Sequence, residues 1–335
     1  EVLTAYKVKA FIFEDVRPVP MCSFAVRALN AVAGVMITAS HNPKEYNGYK
    51  VYGEDGAQMS PEATAQVVSY IDKADYFGIP TEEITQDRED VKGGNGKKIS
   101  EHITVIGKDV DERYYAEVAK LTLSPEAVAA EGPGMKPVYS PLHGSGYVPV
   151  TTMLSRMGIN VDVVEEQRLP DGDFPTVGMP NPEQPDALAL GIKLAEKTGA
   201  DAVIGTDPDC DRMGVAVRDS EGRFMLLSGN QTGALLMDYI LMRRAERGDL
   251  PANGAVVKTI VTTRLADKIA AHYGVKSFDV LTGFKFIGEK IKEWESSGEY
   301  TFLFGYEESY GYLSGTHARD KDAVVASMLF AEMVC

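Results

Sequence analysis

The sequence predicts an α/β protein, on three observations. Short runs rich in β-branched and aromatic residues alternate with segments of helical periodicity almost from end to end. Hydrophobic residues make up 44% of the 335 positions and charged residues 25%, a balance that supports real cores. One pattern also recurs, an apolar run that ends in a dense polar loop. It is found at Val35-Met-Ile-Thr-Ala-Ser-His41, Ala202-Val-Ile-Gly-Thr-Asp-Pro-Asp209 and Phe302-Leu-Phe-Gly-Tyr-Glu-Glu-Ser309. Ligands of open α/β sheets sit at the carboxyl ends of strands, so these loops are expected to face one cleft.

At about 150 residues per domain, the length corresponds to roughly two domains, or three compact ones. Strands are expected at 8–13, 34–38, 136–140, 161–164, 202–206, 213–217, 255–259, 276–280 and 301–304. Helices are expected between them at 21–32, 61–74, 112–121, 148–157, 185–198, 229–247, 264–273 and 284–295. A further helical pattern closes the chain from Asp322 to Cys335. Ser60 before Pro61 reads as an N-cap with a first-turn proline, and Gly199 and Gly274 follow helix ends. The polar stretch 76–98 reads as a loop, and 219–223 as a second boundary. The division expected is 1–106, 107–220 and 221–335.

Lys and Arg number 34 against 49 Asp and Glu, a formal charge of −15. That argues against nucleic acid or an anionic membrane as the main partner. No uncharged apolar run approaches the ~18 residues of a membrane span. Cys22, Cys210 and Cys335 are scattered without zinc-ligand spacing, which suits a reducing, cytoplasmic compartment. Trp294, among helical neighbours, is expected to pack in a core.

The sharpest local signal is Asp207-Pro208-Asp209-Cys210-Asp211-Arg212. Three carboxylates at alternate positions repel one another unless a cation draws them together, and all-oxygen ligation selects a hard ion such as Mg²⁺ or Ca²⁺. An EF-hand is excluded, because positions 6 and 12 of such a loop would be Arg212 and Arg218 instead of Gly and Glu. A solvated acidic turn is the competing reading, but a strand leads straight in and Arg212 follows, suited to an anionic oxygen beside a metal. The second signal is Thr38-Ala-Ser-His-Asn-Pro43, followed by Asn47-Gly-Tyr-Lys50. A serine in a tight loop at a strand end can act as nucleophile or carry a phosphoryl group. Taken alone, a pair such as Ser40-His41 is most often just a polar turn, since triad partners come from distant segments. In the third signal, Gly305-Tyr-Glu-Glu-Ser-Tyr-Gly311, carboxylate and hydroxyl groups could bind vicinal sugar hydroxyls, or form an ordinary acidic turn.

In this order, the Thr-Ala-Ser-His-Asn-Pro, Asp-Pro-Asp-Cys-Asp-Arg and Glu-Glu-Ser loops resemble those of the α-D-phosphohexomutases. The chain looks most like their bacterial phosphoglucomutase branch, related to phosphopentomutases. Ser140-Pro-Leu-His-Gly144, Pro180-Asn-Pro-Glu183, Thr282-Gly-Phe-Lys-Phe-Ile-Gly288 and Arg319-Asp-Lys-Asp322 support the likeness, which spans nearly the whole chain. The resemblance implies consecutive mixed-sheet α/β domains of the phosphohexomutase type. It implies that Ser40 is the phosphoserine and that Asp207, Asp209 and Asp211 hold Mg²⁺ together with the Ser40 phosphate. It implies further that Glu307 and Ser309 grip sugar hydroxyls, that Lys50 handles a proton and that His41 supports the phosphoserine. Arg212, Lys285 and Arg319 are assigned from context, Arg212 to catalysis and the other two to substrate.

The reaction so implied interconverts glucose 1-phosphate and glucose 6-phosphate, with glucose 1,6-bisphosphate as intermediate and activator. Small sugar phosphates are the expected partners, and a homo-oligomer is left open. Mannose or pentose phosphates are the alternative substrates, and a non-catalytic metal- and sugar-phosphate-binding fragment is the alternative class. Two family features have no counterpart here: a Gly-Thr-Ser-Gly-Leu-Arg-Gly type segment before Val8, and a Ser-Gly-Thr-Glu-Pro phosphate loop in a fourth domain. Ser314-Gly-Thr316 is followed by His317 and does not supply that loop. The expectation is a chain truncated at both ends, lacking the start of the first domain and the fourth.

Overall fold

The structure, a computed structural model, describes residues 1–84, 91, 94, 96, 97 and 99–335. In chain order its strands are β1 (Ala10–Phe13), β2 (Ala33–Ile37), β3 (Tyr49–Gly53), β4 (Ile103–Ile106), β5 (Pro137–Ser140) and β6 (Asp162–Val163). They continue as β7 (Ala202–Thr206), β8 (Met213–Arg218), β9 (Phe224–Leu226), β10 (Gly254–Thr259), β11 (Lys276–Val280), β12 (Thr301–Tyr306) and β13 (Tyr312–Ser314). The α/β class expected from the alternating pattern is what the chain forms. It divides into two units, one of Glu1–Arg17 with Met59–Ala116 and one of Pro18–Gln58 with Glu117–Cys335.

In the first unit β1 pairs in parallel with β4, Ala10 opposite Ile103. Ser60 Oγ accepts from Ala63 N at 3.3 Å and Pro61 occupies the first turn, so the helix Pro61–Ile71 starts where the punctuation placed it. Arg17 closes on Asp111 with two bonds, from Nε at 2.9 Å and from a terminal nitrogen at 2.8 Å. Of the loop expected at 76–98, Tyr76–Gly78 forms a short 3₁₀ turn, while 85–90, 92, 93, 95 and 98 lie outside the described residues.

The second unit contains three sheets. β2 and β3 pair antiparallel, Ile37 opposite Tyr49, over a core of Val19, Cys22, Val26 and Tyr52. The middle sheet has the order β6-β5-β7-β8-β9, parallel from β6 through β7 and antiparallel from β7 through β9. β5 and β7 are buried at every residue, as strands covered on both faces must be. The third sheet, β11-β10-β12-β13, packs on the helix Phe284–Ser297 through Phe284, Ile287, Ile291 and Trp294. Trp294 lies against Phe278 and Tyr300, so its expected packing role holds. The closing helix, Ala323–Val334, is buried from Ala323 to Glu332.

Several elements differ from expectation. The helix foreseen at 21–32 runs Val19–Ala28, and Asn30 beyond it takes a left-handed φ of 52°. β3, β4, β9, β13 and the helix Pro125–Glu131 were not foreseen. The four strands have between three and five residues each and carry no sustained period of their own, so pairing with a neighbour defines them. β9 pairs with β8, and the middle sheet therefore runs on past residue 220.

Candidate functional site

The three polar loops meet inside the second unit. Ser40 lies in the connection between β2 and β3, whose neck is closed by the Thr38 N–H on the Gly48 carbonyl at 3.1 Å. Asp207, Asp209 and Asp211 follow β7, and Glu307 and Ser309 follow β12. Each loop contains a non-glycine residue with positive φ: Ser40 at 54°, Cys210 at 53° and Tyr310 at 67°. Such residues cost on the order of 1–3 kcal/mol and persist only where surrounding contacts over-determine them.

Those contacts are numerous around the aspartate loop. Its carbonyls are taken by the starts of three helices. Val19 N, opening Val19–Ala28, donates to Asp209 O at 2.9 Å, and Ala323 N, opening Ala323–Val334, donates to Cys210 O at 3.3 Å. Ser145, just before the helix Tyr147–Arg156, donates to Pro208 O from its N at 2.8 Å and its Oγ at 2.9 Å. Three positive helix ends thus surround three carboxylates. Gly144 has to be glycine here, because a Cβ would overlap the backbone of Pro208.

Ser40 Oγ donates to Asp207 Oδ2 at 2.8 Å and lies 3.1 Å from His41 Nδ1. Asp207 Oδ1 accepts from the backbone N–H groups of Asp211 and Arg212 at 3.0 and 2.9 Å. Lys50 Nζ bridges Asp209 Oδ2 at 2.9 Å and Asp211 Oδ2 at 3.0 Å. Thr38 Oγ1 donates to Asp209 Oδ2 at 3.1 Å and accepts from the Ser40 N–H at 2.8 Å. Arg212 pairs with Glu183 at 3.3 Å, and its backbone bridges to Gly311 of the Glu-Glu-Ser loop.

The aspartates are almost fully buried, and carboxylate oxygens of all three lie within 4.8 Å of one another. Burial, reinforced by Asp209 and Asp211, pushes the Asp207 carboxyl well above the usual range. Against burial, Lys321, Lys50 and Arg212 hold the Asp211 carboxyl below it. Against the same burial, Asp211 and Asp209 hold the Lys50 ammonium well above its ordinary value. Burial and then the Arg212 charge push the His41 imidazole down. Among the described residues, Asp209 Oδ1 and Asp211 Oδ1 are buried without a hydrogen-bond partner. Orphaned carboxylate oxygens in an all-oxygen set are the donors a hard divalent cation takes, so these residues fit one.

The remaining expected residues fall into two groups. Glu307 is buried beside the cluster, with Oε1 accepting from Gly283 N at 2.9 Å, and burial pushes its carboxyl up. Ser309 is half-buried in the same turn, and Lys285 lies two residues past Gly283 with Nζ 5.2 Å from the Phe286 ring centre. Glu308 turns away and accepts from Thr259 and Thr262 at 3.0 and 3.3 Å. Arg319 is not brought to the cluster. Its Nη atoms are taken by Glu295 and the carbonyls of Thr316 and Ala318, while its buried Nε has no hydrogen-bond partner among the described residues.

Its neighbours do reach the cluster, and were not singled out. Lys321 Nζ lies 3.2 Å from Asp211 Oδ2 and 3.1 Å from Asp320 Oδ1. The alternating charges of Arg319-Asp-Lys-Asp322 were a visible signal, but not which of them face inward.

Mixed α/β sheets thus bring a serine hydroxyl, three aspartates and two ammonium groups into one cluster whose carboxylates could hold a hard cation. Models of the phosphoglucomutase/phosphomannomutase family match almost all of the chain, the alpha/beta/alpha domain I at residues 1–77, domain II at 112–222 and domain III at 228–335. The chain belongs to this family. A phosphoglucomutase of Staphylococcus epidermidis is 41% identical over 326 residues, and one of Staphylococcus aureus 35% over 325. Each alignment covers 96% of this chain, but 56% and 55% of the relatives, so the chain spans about half of their length. Among solved structures, a phosphoglucomutase/phosphomannomutase family protein from Burkholderia thailandensis aligns with a TM-score of 0.71 at 20% identity, over 99% of this chain and 63% of that one. The open form of Paramecium parafusin aligns with 0.70 at 21%, over 97% and 58%. These two likenesses concern the fold. Among the described residues no helix is long and apolar enough to cross a membrane.

Proposed function

We propose that this chain carries the phosphoryl-transfer centre of a phosphoglucomutase, interconverting glucose 1-phosphate and glucose 6-phosphate. The observation that carries the reading is Ser40 Oγ held 2.8 Å from Asp207 within the three-aspartate cluster. In this reading Ser40 is the phosphoryl carrier and Asp207, Asp209 and Asp211 hold Mg²⁺. The bound ion supplies neutralising charge for a phosphoserine of roughly −1.5 to −2. The protein's own task is positioning and charge compensation, since phosphoryl transfer leaves it little covalent chemistry.

The Ser40 Oγ–P bond breaks as a new O–P bond forms to one sugar hydroxyl, giving glucose 1,6-bisphosphate. The hydroxyl proton ends on the departing Ser40 Oγ. Lys50, an ammonium on Asp209 and Asp211, relays it by donating one proton to the serine oxygen as it takes the one the hydroxyl gives up, and His41 supports that oxygen. After the intermediate reorients, its other phosphoryl returns to Ser40. Glu307 and Ser309 orient the sugar, with Lys285 and Arg212 as partners for its anionic groups. Arg319 is kept as a further substrate residue away from the aspartates, its guanidinium oriented by Glu295 and two carbonyls. The division into three parts at 1–106, 107–220 and 221–335 is kept as a proposal, one loop from each, with the second boundary moved beyond β9, which pairs with β8. The glucose preference rests on the Glu-Glu-Ser loop and on relatives named phosphoglucomutase.

The test is a coupled assay for glucose 6-phosphate formation from glucose 1-phosphate, with Mg²⁺ and glucose 1,6-bisphosphate present. It is accompanied by peptide mapping of the phosphorylated residue. Turnover with phosphate on Ser40 is the expected result. Binding of sugar phosphate without turnover by the full-length protein would leave the non-catalytic alternative instead.

A further inference from the structure

We propose that Asp320 is a positioning residue for cation loading: it is the acceptor that keeps the Lys321 ammonium in place when a divalent cation takes Asp211. The inference rests on reading the aspartate cluster as a cation site, and concerns how that site is emptied of competing charge.

Lys321 is shared almost evenly between two carboxylates, 3.1 Å from Asp320 Oδ1 and 3.2 Å from Asp211 Oδ2. Its stem cannot swing elsewhere. It crosses Gly311 so closely that a Cβ there would overlap Lys321 Cδ, and its Nζ lies 5.5 Å from the Phe284 ring centre. The ammonium is therefore confined near these two acceptors, with Lys321 7% and Asp320 1% exposed.

Asp320 is itself fixed by three further donors. Tyr52 Oη donates to its Oδ2 at 2.9 Å and Gln58 Nε2 at 2.7 Å, while the Lys321 N–H donates to Oδ1 at 2.9 Å. Asp211 Oδ2, by contrast, accepts from Lys50 and is ion-paired with Lys321, while among the described residues its Oδ1 has no hydrogen-bond partner. An ammonium with Asp211 as its sole counter-charge would compete directly with a cation for that carboxylate. With Asp320 alongside, the same ammonium keeps a full ion pair when the cation arrives, and no buried charge is stranded.

The experiment measures Mn²⁺ affinity of the metal-free chain by the loss of the free-ion electron paramagnetic resonance signal. It compares wild type, Asp320→Asn, Lys321→Met and the double variant. Asp320→Asn is expected to weaken Mn²⁺ binding about tenfold, and to change it less than about twofold in the Lys321→Met background, the signature of a coupled pair. Lys321→Met alone is expected to tighten binding severalfold. It carries the test by itself if Asp320→Asn does not fold, and unchanged or weaker binding by it would overturn the proposal. Equal losses from Asp320→Asn in both backgrounds would overturn it too, since Asp320 would then act by its field alone. Those outcomes leave the cation reading standing, whereas absence of Mn²⁺ binding by the wild type would remove both.

Discussion

Ser40 Oγ and Asp207 Oδ2, separated by 167 positions in the chain, are 2.8 Å apart. The hydroxyl sits on the acidic cluster because a left-handed backbone at Ser40 points it there, and the Thr38 hydroxyl supports that turn through the Ser40 N–H.

Ser40→Ala removes the oxygen that would carry the phosphoryl group and little else. Removing a catalytic nucleophile costs up to ~10⁶ in turnover elsewhere, and a loss of at least about a thousandfold is expected here. The melting temperature should move by no more than a few degrees. Calorimetry alongside the coupled assay checks both, and near-normal turnover would remove Ser40 from the mechanism.

Lys50→Met strips one ammonium from buried Asp209 and Asp211. Breaking one side of a buried ion pair typically costs about 3–5 kcal/mol, and the lower end is expected because Lys321 still faces Asp211. Mg²⁺ should restore much of the loss. Thermal unfolding with and without Mg²⁺ reads this directly, and a larger Mg²⁺-induced shift in the variant than in wild type is the expected sign.

Gly144→Ala tests the support behind the aspartate loop. The added methyl would overlap the Pro208 backbone, so the loop must shift or the fold must strain. Overpacking of this kind costs about 1–3 kcal/mol. Mn²⁺ affinity should fall along with stability. Stability lost with affinity unchanged would mean that the loop does not depend on this brace.

Glu332 provides a pH test away from the cluster. Its buried carboxylate accepts from Leu123 N at 2.9 Å, Ser124 N at 3.1 Å and Tyr239 Oη at 2.8 Å. Burial nevertheless pushes its carboxyl up, so the folded chain holds this proton more tightly than the unfolded one. The associated stability is fully present below the unfolded value of about 4.3 and is lost as pH rises through the raised folded value. Glu332→Gln does not titrate there. The stability of wild type relative to this variant should therefore decline with rising pH, measured by denaturant unfolding at several pH values. A difference that stays constant would place the titration elsewhere.

Much of the site was legible because its chemistry is local. Three aspartates at alternate positions after an apolar run declare themselves without any contact being known, whereas Ser40 stood out only with the resemblance of all three loops. Lys50 came from the resemblance to the phosphohexomutases, not from its spacing alone. The four short strands and the Pro125–Glu131 helix did not declare themselves, because a segment of three to seven residues owes its form to its neighbours.

Arg319-Asp-Lys-Asp322 marks where the sequence stops and the tertiary structure takes over. Adjacent charged residues in a loop look alike in one dimension. β13 and the buried helix Ala323–Val334 anchor both ends of that loop, sending Arg319 to Glu295 and Lys321 to Asp211. The sequence by itself determined the α/β class, the ligand-type residues and the loops that carry them, since these depend on composition and spacing. Which charges share one buried volume was decided only by packing, because burial in a low-dielectric interior, unlike residue order, is a property of the whole chain.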